Sequence, residues 1–162
     1  MDELSKNSIS RMLLLAPLIF IGHFLEEAPR FVEWFNAHVG RGITAESFWR
    51  VNLSGLAITI IVVGMEWLAR SPLSLSMVSA WFSFLMLANA VFHVVASFVD
   101  GGYVPGLVTA ALFYLPYYFW LMTKIVKSGR VKMSLVISAS VLGAIPMAVH
   151  GYRIVFLGDR LF

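Results

Sequence analysis

Long apolar stretches alternate with short polar segments along the chain, starting at Arg11. A helix rises about 1.5 Å per residue, so about 20 apolar residues are enough to cross the hydrocarbon core of a bilayer. The first stretch is the shortest and contains Pro17, which leaves open whether it crosses completely. The pattern predicts an all-α fold, an integral membrane bundle of about five transmembrane helices, with residues 1–162 as a single membrane-embedded domain. We place the spans at 11–27, 48–69, 74–99, 103–124 and 133–156.

Composition excludes an ordinary soluble protein. Hydrophobic residues make up 59% of the chain and charged residues 13%, with a mean hydropathy of +0.82. Soluble domains are about 45–50% apolar and about 25% charged. The chain has no cysteine, which excludes disulfides, thiolate metal ligands and a thiol nucleophile. A net charge of +3 is ordinary for a membrane protein with basic loops, so we expect the lipid bilayer as partner and no nucleic acid; the oligomeric state is left open.

Basic residues between the apolar stretches indicate the orientation, because cytoplasmic loops carry an excess of lysine and arginine. All four lysines lie on one side if the five stretches all cross. We therefore expect a multi-pass protein of the cell membrane with a cytoplasmic N-terminus and an external C-terminus. The assignment inverts if the first stretch does not cross. The lysine-bearing side carries Lys6, Arg11, Arg70, Lys124, Lys127, Arg130 and Lys132, and the other side carries Arg30, Arg41, Arg50, Arg153 and Arg160.

The end of the first apolar stretch carries three potential ligands. In a helix, His23 is followed by Glu26 at i+3 and by Glu27 at i+4, so the three side chains lean toward one side of one turn. Ionisable groups inside or at the edge of a membrane are costly, and they mark functional sites by default. The structural alternative is that Glu26 and Glu27 are simply solvated at the end of the helix.

Two further histidines lie at the same expected depth. His93 and His150 each precede the outer end of their stretch by about two turns, and Asn89 lies one turn inward of His93. Imidazole and carboxylate ligands suit zinc or iron, and catalytic zinc commonly has three protein ligands and one open position. Each histidine taken singly could be hydrogen-bonded within the bundle, but their shared depth favours one divalent metal ion, with zinc preferred over iron. The candidate ligands are His23, Glu26, Glu27, Asn89, His93 and His150.

Other polar and aromatic positions have structural interpretations. Glu66 and Arg70 are spaced i,i+4 and predict an ion pair at the membrane boundary. The segment 29–46 is expected to be a loop, part of it lying flat at the interface. The aromatic residues of the fourth stretch are expected to pack against lipid or the core; they are Tyr114, Tyr117, Tyr118 and Trp120.

Several segments resemble the HXXEE-motif family of small multi-pass membrane proteins. The motif corresponds to residues 23–27 (HFLEE), and residues 89–93 (NAVFH), 103–109 (YVPGLVT) and His150 are similar as well. The resemblance supports these positions as site residues and implies no particular reaction. Pro105 suits the first turn of the fourth helix, and Tyr103 would place its hydroxyl over the outer end of the site.

From this site we predict a metal-dependent integral membrane enzyme that acts on a lipid or another apolar small molecule. The preferred reaction is hydrolysis, with iron-dependent redox chemistry as the variant. One of Glu26 and Glu27 would complete the ligand set and the other would act as general base; Glu27 and Tyr103 are the catalytic candidates. One alternative is a transporter or carrier of metal ions or protons, because intramembrane histidine and glutamate are also relay groups. The other is a structural membrane protein in which the metal only pins helices together.

Overall fold

The computed structural model describes residues 9–161, and Lys6 with the rest of segment 1–8 lies outside the described residues. Within the described range the chain forms six helices and no strand, which confirms the all-α prediction. The helices are α1 (Ile9–Glu27), α2 (Phe31–His38), α3 (Ala45–Ala69), α4 (Pro72–Asp100), α5 (107–127) and α6 (Met133–Leu157). Part of the expected loop 29–46 is thus the short helix α2, which buries Phe35.

Four of these helices, α1, α3, α4 and α6, are long and apolar enough to cross a membrane among the residues described. The fourth predicted span is also a helix, α5, but it falls outside that set. Its sequence explains why, because tyrosines, Pro116 and two lysines, Lys124 and Lys127, dilute its apolar content. Large apolar side chains on the outside of the bundle face the surroundings, with Leu68 85% and Phe98 84% exposed. Such a surface suits lipid, because a water-soluble protein rarely exposes large contiguous apolar patches.

Side-chain caps define where two of the spanning helices begin. The Thr44 side chain accepts a hydrogen bond from the Ser47 backbone N–H at 3.1 Å, and the Thr44 N–H donates to Ser47 Oγ at 2.9 Å. Ser71 and Ser74 repeat this reciprocal arrangement ahead of α4, with Pro72 in its first turn. Each box satisfies backbone N–H groups that a helix leaves unpaired at its start.

Close helix contacts and three wide turns shape the bundle. Gly143 of α6 lies so near the Ala80 backbone of α4 that any Cβ there would overlap the Ala80 carbonyl. Small residues allow such close approach between membrane helices. Three helices contain a π-helical segment, Ser83–Ala88 in α4, Ala110–Tyr114 in α5 and Arg153–Leu157 in α6. Segments of this kind occur frequently at functional sites.

The ion pair expected between Glu66 and Arg70 is replaced by a pair over a long sequence distance. Arg130 Nη1 lies 2.7 Å from Glu66 Oε1, and both side chains are almost fully buried. Ser74 Oγ donates to the other Glu66 oxygen at 2.5 Å. Arg70 has a left-handed backbone that ends α3, and its Nε donates to the Trp67 carbonyl at 3.4 Å. The loop after α5 therefore folds back beneath α3 and α4, and supplies the guanidinium that the buried carboxylate needs.

Candidate metal site

The C-terminal end of α1 and the C-terminal half of α4 bring three buried potential ligands together. His23 and Glu27 lie one turn apart on α1, and His93 faces them from α4. Glu27 Oε1 is 3.2 Å from His93 Nε2 and 3.5 Å from His23 Nε2. One ligand atom from each residue can be chosen so that all three lie within 4.8 Å of one another. The cluster is sealed, because His23 is 1%, His93 0% and Glu27 5% exposed.

The spacing of these atoms fits one small metal ion. Zinc binds imidazole nitrogen and carboxylate oxygen at about 2.0–2.2 Å in tetrahedral geometry, so two ligand atoms of such a site lie about 3.4 Å apart. The separations of 3.2 Å and 3.5 Å bracket this value. The two imidazole rings lie edge to face, at 80° to each other with centroids 5.0 Å apart, and both Nε2 atoms lie beside the same Glu27 oxygen.

The cluster also contains buried ring nitrogens that make no hydrogen bond of standard geometry within the described chain, although Glu27 lies beside two of them. His23 Nε2 and both ring nitrogens of His93 are buried without a hydrogen-bond partner among residues 9–161. A buried polar atom left unpaired costs about 1–3 kcal/mol, and native structures contain few of them. A cation between Glu27 Oε1 and the two Nε2 atoms would satisfy three groups at once. The donor set, its burial and its spacing therefore fit a divalent metal ion.

Glu26 is directed away from this cluster and toward the start of α5. The Tyr103 hydroxyl donates to its Oε1 at 2.6 Å, and the Val108 N–H donates to the same oxygen at 3.1 Å. Its Oε2 accepts the Thr109 N–H at 2.7 Å and the Thr109 hydroxyl at 2.5 Å. The carboxylate thus caps the N-terminus of a different helix, where unpaired N–H groups and the helix dipole both favour negative charge.

Tyr103 holds this capping carboxylate from the loop between α4 and α5. Its own desolvation and its hydrogen bond to Glu26 raise the pKa of Tyr103 to about 12. The phenol therefore stays protonated at neutral pH and acts as a donor to Glu26. The structure places Tyr103 in contact with Glu26, which is not itself part of the three-residue cluster.

Gly106 covers the cluster with bare backbone. Its φ is +94°, in the region that favours glycine, and it precedes the first residue of α5. A Cβ at this position would lie 2.6 Å from His93 Cε1, and 3.0 Å from both His23 Cε1 and Glu27 Cγ. The loop can approach all three potential ligands only because this residue has no side chain.

Comparison with known proteins found a family match that covers this region. The family model described as "Protein of unknown function with HXXEE motif" matches residues 14–121. The chain belongs to the HXXEE family. No curated protein matches the chain, and no solved structure matches it. The matched range includes the three clustered residues together with Gly106 and Thr109, and it ends before α6.

Two residues beside the HXXEE motif complete the surroundings of the cluster. Tyr114 packs its ring against His23 with centroids 4.2 Å apart, and its buried hydroxyl has no partner in the described part of the chain. Thr109 Oγ1 lies 2.8 Å from His23 Nδ1. The sequence indicated packing for Tyr114, and it included Thr109 in the family-like segment 103–109 without giving it a role. The two residues are spaced i,i+5, which an α-helix places on different faces and which the π-helical turn Ala110–Tyr114 can bring toward one face.

Asn89 and His150, the remaining candidates, differ in their surroundings. Asn89 lies one turn before His93 on α4, and its buried Oδ1 has no partner within the described range. It therefore remains a candidate for a further ligand. His150 Nδ1 accepts the Leu161 N–H at 3.2 Å, and the guanidinium groups of Arg153 and Arg160 act on it electrostatically. The structure does not bring His150 into the group formed by the HXXEE motif and His93, and two nearby positive charges disfavour a cation there.

Proposed function

We propose that this HXXEE protein is a metal-dependent integral membrane enzyme with one zinc ion held by His23, Glu27 and His93. The observation that carries the proposal is that Glu27 Oε1 lies at tetrahedral edge distances from both Nε2 atoms, which make no other contact of hydrogen-bond length among the described residues. A zinc ion, the Glu27 carboxylate and the nearby Glu26 carboxylate sum to zero charge. Such neutrality suits a buried site, because an isolated charge in a low-dielectric interior is very costly.

Hydrolysis is the reaction class that this ligand set supports best. Two imidazoles and one carboxylate leave a fourth zinc position open, and zinc in such a site supplies Lewis acidity and activates water. Glu27 makes both imidazole contacts through Oε1, so its second oxygen could accept a proton from the attacking water. Glu26 is poorly suited to that role, because four donors already occupy its oxygens. Iron in the same site would support the redox variant.

An apolar groove supports a lipid or another apolar molecule as the substrate. A groove of about 300 Å³ runs between α4 and α6, and apolar side chains such as Val91, Phe92 and Met147 line it. The Phe92 ring also contacts the neighbouring His93 ring, with centroids 4.9 Å apart. The groove and the metal cluster therefore share Phe92 as a wall, which would place an apolar chain beside the reacting group.

Metal content tests the proposal directly. We expect the purified protein in detergent to retain about one equivalent of zinc or iron, measured by elemental analysis, and His93→Ala to lose it. His150→Ala is the matched control, because it removes the same type of side chain from α6, outside the three-residue cluster, and should leave the metal in place. Stoichiometric metal in His93→Ala, or none in the unsubstituted protein loaded with zinc, would reject the site. Hydrolysis of long-chain esters by the unsubstituted protein, lost in His93→Ala, would establish the reaction class.

A carrier of metal ions or protons is the competing proposal. Buried hydroxyls do line α4 between the two buried charged sites, but they donate to backbone carbonyls, Ser79 to Leu75 and Ser83 to Ser79. Ser79 therefore bonds the helix itself, whereas Ser83 also lies 2.8 Å from the Tyr118 hydroxyl, and the contacts of the described residues show no acidic or histidine group that continues a path. Zinc or proton flux into proteoliposomes that disappears in Glu27→Gln would favour the carrier over the enzyme. Bound zinc without activity or flux would favour a metal that only pins helices.

A further inference from the structure

The two adjacent glutamates of the HXXEE motif have different partners, and we propose that they divide the work at the metal site. Glu27 contributes a ligand, whereas Glu26 acts through Thr109 as a positioning residue that fixes the tautomer of His23. This inference rests on the proposed metal site, but its central claim concerns the protein without metal.

Hydrogen-bond donors surround the Glu26 carboxylate. Two backbone N–H groups, from Val108 and Thr109, point at its oxygens, and an N–H can only donate. The Tyr103 hydroxyl adds a third donor at 2.6 Å. Several hydrogen bonds donated to a carboxylate favour its ionised form. Glu26 is therefore an acceptor on both oxygens and has no proton to offer Thr109.

The Thr109 hydroxyl has one proton and three polar neighbours within hydrogen-bond distance. Its Oγ1 is 2.5 Å from Glu26 Oε2 and 3.3 Å from the Gly106 carbonyl oxygen. Hydrogen bonds to an ionised acceptor are shorter and about twice as strong as neutral ones, so the proton goes to the carboxylate. Thr109 Oγ1 is then left with lone pairs only, and it can only accept a hydrogen bond from the third partner.

His23 is the third neighbour of the Thr109 hydroxyl. Its Nδ1 lies 2.8 Å from Thr109 Oγ1, so Nδ1 must carry a proton and donate it. In the neutral imidazole, Nε2 then carries the lone pair, and this nitrogen faces Glu27 Oε1 at 3.5 Å. Two acceptors oppose each other there, which leaves a gap that a cation satisfies. The alternative tautomer would donate from Nε2 to Glu27 and close the gap with an internal hydrogen bond.

The arrangement keeps His23 ready to bind metal before any metal arrives. Metal-bound imidazoles commonly donate the other ring N–H to a fixed partner, and removing that partner typically costs about 10–100-fold in metal affinity. Glu26 also holds the backbone of Thr109, so its carboxylate positions the hydroxyl from two directions. His93 lacks this support, since its Nδ1 has no partner in the described chain.

Substitutions at Thr109 test the chain of hydrogen bonds from Glu26 through Thr109 to His23, which we call the relay. Thr109→Val keeps the shape and the backbone N–H bond to Glu26 but removes the hydroxyl, whereas Thr109→Ser keeps the hydroxyl. We expect Thr109→Val to bind zinc about 10–100-fold more weakly, measured by competition with a chromophoric chelator in detergent, and Thr109→Ser to bind within a few-fold of the unsubstituted protein. Thr109→Ala, measured in parallel, serves if the valine variant does not fold.

Nitrogen NMR of histidine-labelled protein without metal is the second measurement, because a merely structural role for Thr109 would leave the tautomer unchanged. We expect the His23 signals, assigned with His23→Gln, to report protonated Nδ1 in the unsubstituted protein and a shift toward protonated Nε2 in Thr109→Val. An unchanged tautomer, or a loss of affinity in Thr109→Ser equal to that in Thr109→Val, would overturn the relay. If the unsubstituted protein binds no zinc, the proposed function fails, while the tautomer measurement still decides the relay.

Discussion

Replacing Gly106 by alanine should damage the metal site without touching any proposed ligand. The new Cβ would lie 2.6 Å from His93 Cε1 and 3.0 Å from His23 Cε1 and Glu27 Cγ. Carbon atoms in contact normally lie about 3.5–4.0 Å apart, so either the loop or the His93 ring must move by about 1 Å. The substitution therefore disturbs the potential ligands from the loop that covers them.

The expected loss follows from how little a metal site tolerates. Ligand distances in a working site vary by about ±0.2 Å, so a 1 Å displacement of His93 cannot be absorbed. A misplacement of about 1 Å costs an enzyme about 100-fold in rate, and metal coordination makes a comparable demand on geometry. We therefore expect Gly106→Ala to bind zinc about 100-fold more weakly, which corresponds to about 2.8 kcal/mol.

Gly101→Ala is the matched control for backbone strain. Gly101 also has a left-handed φ, +65°, but no heavy atom lies within 4 Å of its ideal Cβ in the described structure. Both substitutions incur about 1–2 kcal/mol for the left-handed backbone, and only Gly106→Ala adds the collision. Zinc affinity from chelator competition and thermal unfolding would be measured for both. Equal zinc affinity in the two variants would refute the placement of Gly106 over the cluster.

Two further predictions concern charge away from the cluster. Arg130→Met should destabilise the fold by about 3–5 kcal/mol, because it leaves the Glu66 carboxylate buried and uncompensated, whereas Arg70→Met should cost little. Unfolding in a denaturing detergent followed by circular dichroism measures the difference, and equal costs would contradict the pairing. Tyr103 should form tyrosinate only near pH 12, because its pKa lies above the ordinary 10.0. Folding holds that proton more tightly, so this contribution to stability is complete below pH 10 and disappears as the pH rises through about 12. The tyrosinate absorbance difference between the unsubstituted protein and Tyr103→Phe tests it, and a midpoint near 10 would contradict it.

The membrane character could be predicted from length and apolar content, and His23, Glu27 and His93 were among the six candidate ligands that helical spacing and expected depth indicated. Length and apolar content alone predict spanning helices, and α1, α3, α4 and α6 satisfy them within the described chain. The i,i+4 spacing of His23 and Glu27 places them on one face of any helix. The prediction for the region 103–124 was right about the helix, but its polar residues keep it outside the spans recognised by length and composition.

The roles of Glu26, Glu66 and His150 could not be predicted in this way. Consecutive residues on a helix point about 100° apart, so the direction of Glu26 depends on what lies beside it, and that is the start of α5. Glu66 pairs with Arg130 rather than with its helical neighbour Arg70, because the packing of the intervening helices brings the loop after α5 next to Glu66. Depth along a helix sets the level of His150 but leaves its rotation about the axis undetermined.

By itself the sequence determined that apolar helices would dominate this protein and that His23 and Glu27 would share one turn. Both follow from the rise and rotation per residue of a helix. Only the tertiary structure decided that His93, out of the further candidates, lies against His23 and Glu27, that Gly106 covers the cluster and that Thr109 joins Glu26 to His23. These contacts join residues far apart in the chain, so they exist only where packing sets the rotation and closeness of separate helices.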